Sequence, residues 1–106
     1  IANQRYAGRA GNVPIVESPI FLQVAPNPFN PVTQVSFTIP DEDASDVTEV
    51  RVFDMMARDV TTLINNVEPA GRHTITFNAS NLPSGQYIVA VHTLNHMQSK
   101  LIILTK

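Results

Sequence analysis

The chain has no cysteine and no tryptophan, only four glycines, and seven basic side chains against nine acidic ones. Each shortage removes a class of chemistry. Without cysteine there is no disulfide, no thiolate nucleophile and no Cys-ligated zinc, and the redox compartment stays open. Four glycines leave little material for a phosphate-cradling loop. The Lys and Arg residues are scattered and the net charge is −2, so the basic patch needed to grip a phosphate backbone is missing and nucleic acid is not an expected partner. No apolar run approaches the roughly 18 residues of a transmembrane helix. The longest, Leu101-Ile102-Ile103-Leu104, is strand-sized. A start at Ile1, with neither Met nor a basic and apolar leader, predicts an internal or C-terminal piece of a longer product.

What is present predicts a folded chain: 43% of the 106 residues are hydrophobic and 15% charged, far from the composition of disordered segments. Residues 1–19 have no sustained period and are punctuated by Gly8, Gly11, Pro14 and Pro19. They read as a linker or the tail of an upstream domain, although Val13-Pro14-Ile15-Val16 has the makings of a short edge strand. From Ile20 to Lys106 short alternating runs are separated by turn residues, the pattern of an all-β domain.

The runs fall in order. Ile20, Leu22 and Val24 share a face, and the strand must stop at Pro26 because Pro26, Pro28 and Pro31 cannot donate to a ladder. Val35, Phe37 and Ile39 alternate with Gln34, Ser36 and Thr38 up to Pro40. Val50 and Val52 face in, against Glu49 and Arg51. Met55-Met56-Ala57-Arg58 links to a strand over Asp59 to Ile64, and Asn65-Asn66 reads as the start of the next turn. His73, Ile75 and Phe77, then Tyr87, Val89 and Val91, then Met97 to Leu104 complete about seven antiparallel strands, the count of an immunoglobulin-like sandwich.

Enzyme chemistry has no foothold. There is no nucleophile elbow and no His-Glu-x-x-His pattern, and no cofactor is implied. His92 and His96 lie four apart, a shared face on a helix but a bracket around a turn in strands, so they read with His73 as surface or edge histidines. Asp41-x-Asp43-x-Ser45 begins like a calcium loop, but Asp46 stands where the turn needs glycine and Val52 where it needs a bidentate glutamate. The acidic turn Asp41 to Asp46 therefore reads as solvated. Asn78-Ala79-Ser80 matches a glycosylation sequon without a context to give it meaning. Phe77 and Tyr87 follow the inward alternation and read as core, whereas Phe53 lies off the Val50 and Val52 face.

Two segments are more specific than composition demands: Ala25-Pro26-Asn27-Pro28-Phe29-Asn30-Pro31-Val32-Thr33 before a strand, and Leu82-Pro83-Ser84-Gly85-Gln86-Tyr87 before a strand and the closing Ser99-Lys100-Leu101-Ile102-Ile103-Leu104-Thr105-Lys106. Together they resemble the type A C-terminal sorting domain of the bacterial type IX (Por) secretion system, over about residues 21 to 106. The prolines restrict φ and predict a rigid extended crossover with Phe29 plugging the sandwich end. Gly85 permits a sharp turn before Tyr87, which resembles a corner tyrosine whose hydroxyl finds a backbone partner. Two departures stand out. Phe53-Asp54-Met55-Met56-Ala57 carries alanine where the family hairpin takes glycine, a costly choice if φ is positive there. Thr93 to Gln98 lacks the usual glycine, and Asn95 is the residue best able to go left-handed in its place.

The resemblance implies a non-catalytic secretion signal that crosses the periplasm, takes an attached passenger through the outer-membrane machinery to the cell surface, and is cut off there by a sorting peptidase within residues 1–19, leaving the passenger secreted or attached to the surface. It implies that Lys100, Leu101, Ile102, Ile103, Leu104 and Lys106 are what the machinery reads, with strand addition as a mode and the two lysines as charged bookends. A strand apolar on both faces is otherwise simply a buried last strand. Rival readings are a carbohydrate- or protein-binding accessory module of a secreted enzyme, which should present two or more exposed rings on one sheet, and a passive spacer. The sorting reading expects Phe29, Phe37, Phe77 and Tyr87 inside.

Overall fold

A computed structural model describes residues 20–106. Seven antiparallel strands run in chain order: β1 (Leu22–Ala25), β2 (Val32–Ile39), β3 (Val47–Asp54), β4 (Asp59–Val67), β5 (Gly71–Asn78), β6 (Gly85–His92) and β7 (Met97–Leu104). A single 3-10 turn, Asp41–Asp43, sits between β2 and β3. One sheet has the order β1-β2-β5, the other β4-β3-β6-β7. The expectation for residues 1–19, including the short strand at Val13 to Val16, lies outside the described residues.

The alternation explains why these strands pack as two layers. Val35 and Phe37 on β2, Val50 and Val52 on β3, Val89 and Val91 on β6 and Ile102 on β7 are all fully buried. Their intervening neighbours face outward, as the period of two requires. Each buried side chain of this size contributes about 1.5–3 kcal/mol relative to exposure, so the inward rows decide the fold. Leu22 pairs with Phe37 across β1 and β2, and Tyr87 with Ile102 across β6 and β7, so the register carries like against like.

The structure differs from the sequence reading in one strand boundary. β4 runs through Asn65 and Asn66, which pair with Glu49 and Thr48 on β3. The turn tendency of two asparagines is overridden by the ladder β3 offers. Between Val50 and Arg51 and between Val52 and Phe53 the pairing shifts, so β4 is a bulged edge.

Candidate functional site

The site expected from sequence is the final strand, and the fold places it at an edge. β7 pairs with β6 alone within its sheet, so its other side is the sheet's edge. Ile102 and Leu104 point into the core at 0% and 1% exposure. Leu101 is 46% exposed on the opposite face and Ile103 is half-buried. The strand is therefore buried on one face and partly open to solvent on the other, on alternate residues. Leu101 lies in register with Ile88, and Ile88 with Phe53, so an apolar row crosses the solvent side of the sheet.

The proline segment comes to the same edge. Asn27 Nδ2 donates to the Leu101 carbonyl at 3.1 Å, and Asn27 Oδ1 accepts the Ile103 amide at 3.0 Å. The Phe29 amide donates to the Ile103 carbonyl at 2.9 Å, and the Thr105 amide to the Phe29 carbonyl at 2.9 Å. An asparagine side chain carries the donor and acceptor of a peptide unit, so Asn27 and Phe29 together imitate a short neighbouring strand. Pro26 to Pro31 is accordingly a run of bends rather than the extended crossover expected, because it must lie along β7. Its three X-Pro bonds, Ala25–Pro26, Asn27–Pro28 and Asn30–Pro31, are cis. Thr33 Oγ1 donates to the Pro26 carbonyl at 2.7 Å and the Ala79 amide to that of Pro31 at 2.8 Å, holding both ends. The Phe29 ring is 2% exposed and tilts against Phe77, with centroids 5.8 Å apart, which is the plug the sequence predicted.

The two lysines are not equivalent. Lys106 is tied down: its amide donates to Ser84 Oγ at 2.9 Å and its Nζ to the Ser80 carbonyl at 2.5 Å. Lys100 is exposed and forms no ion pair among the described residues. Gly85, at the start of β6, pairs with Leu104, and the Tyr87 hydroxyl donates to the Pro83 carbonyl at 2.6 Å. The corner tyrosine is thus present, with its ring 5% exposed.

Sequence reasoning missed the group that anchors the start of β7. The acidic turn is not simply solvated: Asp43 is 0% exposed. Its Oδ1 accepts Asn95 Nδ2 at 2.9 Å, and its Oδ2 accepts the Thr93 hydroxyl and His96 Nδ1, the latter at 2.8 Å. Burial pushes its pKa up, but the hydrogen bonds from His96, Thr93 and Asn95 outweigh that and lower it from 3.8 to about 2. A carboxylate so engaged serves the β6–β7 turn rather than a cation. His96 is therefore a clamp partner, while His92 is a surface residue and His73 Nε2 meets the Pro69 carbonyl at 2.7 Å. Asn95 does not take the left-handed conformation expected of it; its side chain reaches Asp43 instead. Among the described non-glycine residues only Ala57 has positive φ, at 63°.

Phe29, Phe37, Phe77 and Tyr87 are all inside. Phe21, 44% exposed, lies under the Arg72 guanidinium beside the three-stranded sheet, and Phe53 is half-buried on the other. Two exposed rings on one sheet, the mark of the binding-module reading, are not found among the described residues. No described helix is long and apolar enough to cross a membrane.

No curated protein sequence matches the chain. A family model described as "Secretion system C-terminal sorting domain" matches residues 23–105, spanning both the proline segment and the closing strand. The chain belongs to the type IX secretion C-terminal sorting domain family.

Proposed function

We propose that this sandwich is a non-catalytic tag that carries an upstream passenger across the periplasm and through the outer-membrane type IX machinery to the cell surface, where a sorting peptidase cuts within residues 1–19. The residues read are Lys100, Leu101, Ile102, Ile103, Leu104 and Lys106. One observation carries the reading: a closing strand that sits at a sheet edge, with Leu101 46% exposed although its neighbour Ile102 is fully buried. Of the six residues, Lys100 and Leu101 offer surface, whereas Ile102 and Leu104 hold the strand in place.

The test is a reporter fused ahead of the 106-residue chain in a type IX-competent cell. Removal of Lys100 to Lys106 leaves the reporter in the periplasm. Because that deletion also takes two residues from the core, Leu101→Gln is its companion, lowering surface delivery while the domain still folds. Normal surface delivery of both variants refutes the assignment.

A further inference from the structure

The outer edge of β7 is in two states along its length. Ile103 directs its amide and carbonyl outward, since both bond to the proline segment. With a period of two and an unbroken register to β6, the outward backbone groups are those of Met97, Ser99, Leu101, Ile103 and Thr105. From the Leu101 carbonyl to the Thr105 amide they are occupied by Asn27 and Phe29. From Met97 to the Leu101 amide no described strand or loop hydrogen-bonds to them, although β1 of the facing sheet packs against β7.

We propose that Asn27 marks the boundary between a sealed and an open half of this edge, and that an extended peptide strand of the export machinery pairs with the open half, Met97 to Leu101. This rests on the sorting reading above and narrows it: of its six residues, Lys100 and Leu101 meet the partner strand, while Ile102, Ile103, Leu104 and Lys106 hold that edge in place. The occupant is a strand because unpaired outward N–H and C=O groups at alternate residues are what a strand satisfies. It carries apolar side chains on one face, because Met97 and Leu101 beside the open backbone are 61% and 46% exposed. On its other face it carries a carboxylate, because Lys100, which projects on the opposite side of β7 from Met97 and Leu101, has no acidic partner among the described residues.

The other edges are less suited. β1 has four residues, β4 is bulged at two places, and β5 presents Arg72, Thr74 and Thr76 on its outer face. The sealing of the Leu101 to Thr105 half has its own use. It keeps the apolar end of the chain from pairing with other copies, and it stops an incoming strand at a defined register.

Ser99→Pro tests the open half. Proline there removes an outward donor and no bond to β6, so the sandwich folds, as unchanged exchange protection of the Ile102 and Leu104 amides reports. Surface delivery of the fused reporter should fall at least tenfold. A folded Ser99→Pro chain delivered like the parent overturns the inference, while loss of delivery on removing Lys100 to Lys106 would leave the sorting reading standing. If Ser99→Pro fails to fold, Met97→Pro removes the next outward donor and is judged by the same outcomes. Asn27→Ala tests the sealed half: the Ile103 amide should exchange at least tenfold faster with Leu104 unchanged, and equal Ile103 rates would overturn the boundary.

Discussion

The carboxylate of Asp43 and the imidazole of His96 meet at 2.8 Å between Oδ2 and Nδ1, across 53 residues of chain, where Asp43 is fully shielded from water. The contact ties the loop after β2 to the turn before β7. It thereby sets where the closing strand begins, in the half of the molecule opposite the Asn27 contact.

Asp43→Ala should cost on the order of 3 kcal/mol, because hydrogen bonds to a buried charge are each worth about 1.5–3 kcal/mol and their donors are left unpaired. Denaturant unfolding measures this. The pH dependence has a definite sign. The folded-state pKa lies near 2, below the ordinary 3.8, so the carboxylate's contribution is complete above about pH 4 and is lost as pH falls through 2. The parent chain should lose stability over that window more steeply than Asp43→Asn, and parallel acid profiles for the two would contradict the clamp.

Ala57 takes φ of 63° at the corner of the hairpin between β3 and β4. The turn is held there by Asp54, whose Oδ1 accepts the Met56 and Arg58 amides at 2.8 and 3.0 Å. A left-handed alanine costs about 1–2 kcal/mol, and glycine gives part of that back in unfolded-state entropy. Ala57→Gly should therefore raise unfolding free energy by about 0.5–1 kcal/mol, read as a higher urea midpoint at unchanged slope. A lower midpoint would mean the hairpin does not depend on this residue's conformation.

Thr48 is fully buried on β3, and its hydroxyl has no hydrogen-bond partner among the described residues. Burying an unpaired hydroxyl costs about 1–3 kcal/mol. Thr48→Val, which keeps the shape, should raise the thermal midpoint, corresponding to a gain of about 1 kcal/mol. A fall on scanning calorimetry would show that the hydroxyl is satisfied in solution.

Strand identity and facing were legible because alternation is a local property: Val35, Phe37 and Ile39, or Tyr87, Val89 and Val91, announce a buried face without reference to anything else. Asn65 and Asn66 misled because their pairing to β3 is not local. The proline segment was legible as a motif, and the Phe29 plug with it. Its role along β7 was not, since Asn27 meets Leu101 and Ile103 only after two sheets have closed.

By itself the sequence determined an all-β sandwich, its inward rows, its corner tyrosine and its family, because period, turn chemistry and motif are written in neighbouring residues. Only the tertiary structure decided that Asp43 is buried, that Lys106 is tied down while Lys100 makes no ion pair among the described residues, and that half of the last strand's edge is closed. Those outcomes depend on which groups meet across 22 to 76 residues of chain, and water exclusion at such contacts exists only once the layers have packed.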